Sequence, residues 1–197
     1  MELKELKQLV NLSIKDCQRI INKNPKVVLS ESDFEKLLSE CISKRIGYVP
    51  EKPTPDSFAV YTQITHYDNI KNELNARVDI LLMKPDKICK TRDNNKRFVY
   101  KSKESIAIEL KYRHDNNSAC VTAAMKDIKK FYKYKDDSYY YAIILLDKNA
   151  NTQTHRKDIL DYYKKVRDSR KNKKYKNKFF CQVLTKKEFD VPEQSES

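Results

Sequence analysis

Leu3, Leu6, Val10, Ile14, Cys17 and Ile21 recur at intervals of three and four, which makes residues 2–22 an amphipathic helix. Such a stripe either packs on the rest of the domain or pairs with a second copy, and packing on the domain is the favoured reading. Asn24-Pro25 ends it. A second helix begins at Ser30, where Ser30 and Asp33 form an N-terminal capping pattern and Phe34, Leu37, Leu38 and Cys41 make the buried stripe. Gly47 is free to take a left-handed conformation and stops that helix. Prolines at 50, 53 and 55 mark a stiff linker.

The pattern then changes period. Residues 58–64 read as a strand, and 76–82 alternate before turning continuously apolar. A lysine-rich, turn-prone region over 84–104 separates them from a further strand at 106–111, so a hairpin with a long or decorated loop is expected. Asp115-Asn-Asn-Ser118 opens a helix carrying Val121, Ala124, Met125, Ile128 and Phe131 on one face. Residues 139–146 are all apolar and suit a strand buried on both faces. A helix near 155–167, a strand over 178–184 and a frayed polar tail from 193 complete the chain. This order predicts an α/β fold, a mixed β-sheet flanked by helices. The expected division is an N-terminal helix over 1–25, an α/β domain over 26–192 and a disordered tail over 193–197.

Composition adds a partner. Lys and Arg outnumber Asp and Glu 41 to 28, a formal net charge of +13 that attracts polyanions by releasing their condensed counterions. A lysine-biased composition without any function is the plain alternative. A single glycine excludes much more, because a P-loop or a dinucleotide-binding turn needs several at fixed offsets. The chain is therefore neither an NTPase nor a nicotinamide enzyme. Five cysteines without a C-x-x-C pair read as reduced thiols in a cytoplasmic protein. No apolar run near the start suggests a signal peptide, and no stretch is long enough to span a membrane.

The candidate chemistry lies at Asp79 and, thirty residues on, Glu109-Leu110-Lys111. An acid two residues before a lysine is common in so charged a chain: Glu2-Leu-Lys4, Glu5-Leu-Lys7 and Asp127-Ile-Lys129 match it too. Those three sit on expected helices, where residues two apart diverge by about 200°. Glu109 and Lys111 sit on an expected strand and share a face, while Ile106, Ile108 and Leu110 fill the other. On its own strand Val78 and Ile80 face one way, Arg77 and Asp79 the other. If the two strands pair antiparallel, Asp79 and Glu109 face each other with β-carbons about 4.5–5.5 Å apart. Two carboxylates that close repel unless a cation lies between them, and Mg²⁺ or Mn²⁺ suits such oxygen donors. The Leu110 carbonyl is a candidate third ligand. Lys111 would orient or deprotonate a water and stabilise charge on phosphorus. A surface ion pair between Asp79 and Lys111 is the plainer reading of the same residues.

The segments Arg77-Val-Asp79-Ile-Leu-Leu and Ile106-Ala-Ile-Glu109-Leu-Lys111 resemble the signature of the PD-(D/E)XK nuclease superfamily. The resemblance covers roughly residues 30–146 and extends to the order helix, three-stranded meander, helix, strand. It implies a restriction-endonuclease-like fold with an α-βββ-α-β core, here with an N-terminal helical extension. It also implies Asp79 and Glu109 as metal ligands and Lys111 as the catalytic lysine. Many members add a glutamate from the preceding helix, for which Glu31 and Glu35 are the candidates and Glu31 the preferred one. Val78 stands where the family name implies proline. The helix after the lysine strand offers Lys126, Lys129, Lys130 and Tyr132 but no glutamine, unlike exonuclease-type members.

Residues 164–178 carry nine basic side chains and one acid, among them Lys171, Lys173, Lys174 and Lys176. Such density tracks a phosphate backbone without reading bases. A solvated loop is the other reading. Arg113 and His114, directly after the lysine strand, would line the cleft; His66 and His155 carry no assigned role. The expected function is thus a metal-dependent DNA endonuclease of restriction, defence or repair type. Cutting both strands with one site per chain would favour a homodimer. The alternatives are an inactive nucleic-acid-binding protein on the same fold and a basic RNA-binding protein.

Overall fold

The computed structural model describes residues 1–52, 57–68, 73–90, 98–100, 104–113, 117–130, 138–169 and 176–187. Phe131, His114, part of the proline linker, Lys171, Lys173, Lys174 and the tail from 193 lie outside them.

Helix α1 (Leu3–Lys23) buries Leu6, Val10, Ile14, Cys17 and Ile21, the expected stripe, and packs on α2 (Glu31–Ile46) and the last strand. The start of α2 is fixed by a capping box: Ser30 Oγ accepts from the Asp33 N–H at 3.1 Å, and Asp33 accepts from the Ser30 N–H at 2.9 Å. Gly47 closes α2 at φ +66°, the left-handed turn that favours glycine. These caps hold Glu31 in the first turn of α2, where the helix dipole favours an acid.

Among the described residues, seven strands form one sheet. β1 (Ala59–Asp68), β2 (Glu73–Met83) and β5 (Ile106–Arg113) make an antiparallel meander; β6 (Tyr139–Asp147) and β7 (Phe179–Lys186) join it in parallel. Helix α3 (Ser118–Lys130) connects β5 to β6, and α4 (Thr152–Asp168) lies between β6 and β7. The region expected to be only a decorated loop holds two short strands, β3 (Ile88–Lys90) and β4 (Phe98–Tyr100). They form a hairpin on the outer side of β1, giving the order β3-β4-β1-β2-β5-β6-β7. Three residues are too few for alternation to stand out among lysines. The architecture is the expected α/β one: a mixed sheet flanked by helices, with two helices before the first strand.

The sheet is covered on both faces. Tyr141, Ile143 and Leu145 of β6 join one core with α1 and α2; Tyr140, Ala142, Ile144 and Leu146 join the other with α3 and α4. The eight-residue apolar run is therefore a central strand with no solvated face. At the β7 edge, Gln18 of α1 donates to the Thr185 carbonyl at 2.8 Å and accepts from the Thr185 N–H at 3.1 Å. Near the end of β5, Lys186 is 1% exposed, donates to the Val28 carbonyl at 2.7 Å and to the Tyr112 hydroxyl at 2.5 Å, and lies 3.7 Å from Asp147. Burial pulls its ammonium pKa down against the opposing pull of Asp147. That buried network ties β7, the approach to α2 and the end of β5 together. Among the described residues no helix is long and apolar enough to cross a membrane.

Candidate functional site

The β2–β5 ladder runs Leu82↔Ile106, Leu81↔Ala107, Ile80↔Ile108 and then stops, one position before Asp79 would pair with Glu109. The strands part there. Two amides of β5 that face the gap are taken by side chains instead: Asp79 Oδ2 accepts from the Leu110 N–H at 2.6 Å, and Glu31 Oε2 accepts from the Tyr112 N–H at 3.0 Å. Carboxylates from β2 and from the start of α2 thus replace a missing strand. In a strand, a residue's N–H and C=O point the same way, so the Leu110 carbonyl opens onto this fork as well.

The neighbouring strand is distorted at the same level. β1 pairs Thr62 with Ile80 and Ile64 with Val78, and between them Gln63 sits at φ +58°. A glutamine in the left-handed region is uncommon and strained. Its Nε2 donates to the Glu35 carboxylate and lies 3.4 Å from Asp79 Oδ1. Here the alternation expected from the sequence is corrected. Val78 packs in the α3–α4 core and Ile80 in the α1–α2 core, so they do not share a face. The physical reason is local: β2 turns over at the fork, which sends Asp79 across the gap towards β5.

Glu109 and Lys111 do share a face of β5, with Ile106, Ile108 and Leu110 in the opposite core. Lys111 Nζ lies 3.0 Å from Glu31 Oε2 and 3.5 Å from Asp127 Oδ2. Lys130 pairs with the Glu109 carboxylate and lies 3.8 Å from Asp127 Oδ1. Signs therefore alternate from Glu31 through Lys111, Asp127 and Lys130 to Glu109. The fold brings Glu31, Asp79, Glu109 and Lys111 together, and the first two glutamates of α2 reach the fork, Glu31 at Lys111 and Glu35 at Gln63.

Three residues of this constellation were not singled out from the sequence. In the sequence Asp127 looks like a chance copy of the acid-x-lysine pattern, and Lys130 like one more lysine of a basic helix. A signal did exist: Asp127 follows Cys120 and Ala124 by seven and three positions, on the flank of the buried stripe. Nothing in the sequence marked Gln63.

The basic residues divide. Arg113 is exposed at the end of β5, beside the constellation. Lys176, grouped with it as a nucleic-acid contact, is at the other end of the sheet. Arg113 pairs across to Leu146, whereas Tyr140 pairs with Phe179 at the start of β7. The two levels are six residues apart on β6, about 20 Å. The reason is topological: α4 carries the chain back to the strand starts before β7 begins.

Electrostatics follow from burial. Desolvation, then the facing Asp79, push the Glu109 carboxyl up to about 8 against the pull of Lys130. Desolvation also raises Asp79, Asp127 and Glu35. Burial lowers Lys111, but Asp127 and Glu31 together outweigh it, and the ammonium is held above its usual pKa. For Glu109 the folded value exceeds the unfolded 4.5, so the folded chain keeps a proton that the unfolded chain releases between pH 4.5 and about 8. Stability from this group is full below pH 4.5 and is lost as pH rises through 8. Melting curves across that window are expected to show Tm falling with pH and Glu109→Gln flattening the decline. An unchanged slope in the variant would refute the assignment.

Among the described residues no group of three or more Asp, Glu, His or Cys side chains is arranged to hold a metal. The donors still suit a hard cation in kind. Glu109 Oε2 is buried with no hydrogen-bond partner among the described residues, Asp79 stands opposite, and the Leu110 carbonyl faces the same gap.

No family model matches the chain, and no curated protein matches it. Among solved structures, NucC of E. coli MS115-1 in its cAAA-bound form aligns over 70% of this chain and 62% of that one, at 8% identity and a TM-score of 0.38. This chain spans less than two thirds of that protein's length, and at such a TM-score nothing about activity follows from the likeness.

Proposed function

We propose that this chain is a metal-dependent nuclease that hydrolyses phosphodiester bonds in DNA at the fork between β2 and β5. The observation that carries the reading is the convergence of Asp79, Glu109, Lys111 and Glu31 where β2 and β5 part, in a chain of net charge +13. Asp79, Glu109 and the Leu110 carbonyl are the groups that would hold Mg²⁺ or Mn²⁺, which supplies a Lewis acid for the phosphate and an acidified water.

The protein's own groups have distinct tasks. Glu31 and Asp127 fix the Lys111 ammonium from two sides and keep it charged. Lys111 therefore stabilises charge on the phosphorane and orients the water; it is not the base. Lys130 sits against Glu109, where a second positive group can meet a phosphate oxygen. Arg113, exposed beside the fork, extends the positive surface along the strand.

Supercoiled plasmid incubated with Mg²⁺ or Mn²⁺ is expected to be nicked or linearised, and EDTA is expected to stop the reaction. The ammonium of Lys130 on Glu109, where a metal ligand is needed, favours a second reading: a nucleic-acid-binding module without catalysis. Salt-sensitive binding with no cutting under any divalent cation would establish that reading instead. Preference for structured RNA over duplex DNA in competition would overturn the choice of substrate.

A further inference from the structure

Beside the fork, a groove of about 740 Å³ opens between α2 and the β1–β2 pair. Its size lies in the range of small-ligand sites, about 300–1,000 Å³. Glu35 and Gln63 belong both to its wall and to the constellation around Asp79, so groove and fork are continuous.

The lining says what kind of group fits. Two acids, Glu35 and Glu40, balance two bases, Lys36 and Arg77, so the groove gives a phosphate no net attraction. The serines of α2 and the Gln63 amide supply neutral donors and acceptors, the combination that reads the edge of a nucleobase. Gln63 commits its NH₂ end to Glu35 and Asp79, which leaves its oxygen end to accept. Its backbone is held at φ +58°, a conformation that glycine would adopt without strain. A strained glutamine at the junction of a charged site and a neutral groove is the mark of a side chain kept for contact.

We infer that this groove receives the nucleoside adjacent to the phosphodiester at the fork, with Gln63 as its polar contact. The inference rests on the nuclease reading for what lies at the fork, but base binding can be measured without cutting.

The experiment uses the full chain in EDTA with short end-labelled single-stranded oligonucleotides, each carrying one abasic sugar at a different position, read by fluorescence anisotropy. In the wild type one position is expected to weaken binding about tenfold when its base is removed, the others far less. Gln63→Gly deletes the amide while relieving the left-handed backbone, and Ser39→Leu fills the groove from the helix side. Each is expected to erase the positional difference while melting near the wild-type temperature. Binding indifferent to every abasic position, no binding of the oligonucleotides, or the wild-type pattern in both folded variants would overturn the inference. Plasmid cutting without a positional pattern sinks the groove and spares the enzyme; a positional pattern without cutting does the reverse.

Discussion

Lys111→Met is expected to lower the cleavage rate about 10³-fold, the typical loss when one positioned charge-stabilising group is removed. The side chain is held by Glu31 at 3.0 Å and Asp127 at 3.5 Å, and methionine keeps its length while deleting its charge. What remains is Glu31 and Asp127 without the ammonium between them, a repulsive arrangement for an incoming phosphate. The loss should therefore appear in the rate at saturating DNA as well as in affinity. Lys111→Arg keeps the charge but not the point geometry, and is expected to recover only part of the rate. A Lys111→Met protein that is folded and cuts within tenfold of the wild type would remove this lysine from the mechanism. Loss of binding alone, with the rate at saturation intact, would reassign it to DNA attachment.

The second large effect separates two jobs of one side chain. Asp79 accepts the Leu110 N–H at 2.6 Å and also faces Glu109 across the fork. In Asp79→Asn the amide oxygen can still accept from Leu110, while the charge that would bind a cation is gone. Cleavage is expected to fall about 10²- to 10⁴-fold with Tm almost unchanged, since burial already disfavours the charged form of Asp79. Asp79→Ala loses activity to a similar degree but also leaves a buried N–H unsatisfied, at a cost of roughly 1–3 kcal/mol. For a chain of this size each kcal/mol lowers Tm by about 2–4 °C. Paired melting curves and plasmid assays on both variants read the two jobs independently. Equal Tm losses in Asn and Ala would show that the hydrogen bond does not hold the fork; full activity in Asp79→Asn would end the metal-ligand assignment.

The sequence made some of this legible through local rules and hid the rest in long-range geometry. Ser30, Asp33 and Gly47 announced both ends of α2 because caps and left-handed turns are chemical signals of a few residues. The uninterrupted run of β6 announced burial on two faces, and alternation around Glu109 told which residues of β5 share a side. Alternation misplaced Val78, because it assumes a regular strand and β2 turns over at Asp79. Asp127 and Lys130 reach the constellation only because α3 packs across β5, a fact of tertiary packing. In the chain they look like any charged pair on a helix. Lys176 and Arg113 are alike in charge and kind, yet the length of a parallel crossover separates them. A pattern within one element travels well from sequence to structure; a pattern between elements does so only when the topology is already in hand.

At the sheet's far margin, Gln18 does what a neighbouring strand would do by answering both backbone groups of Thr185. An unguarded rim there would be a template for another copy to add on, and further copies after that. With that rung already occupied, side-by-side growth through β7 is blocked at the residue where it would need a partner. A second copy pairing along β7 would first have to displace Gln18 from that rung.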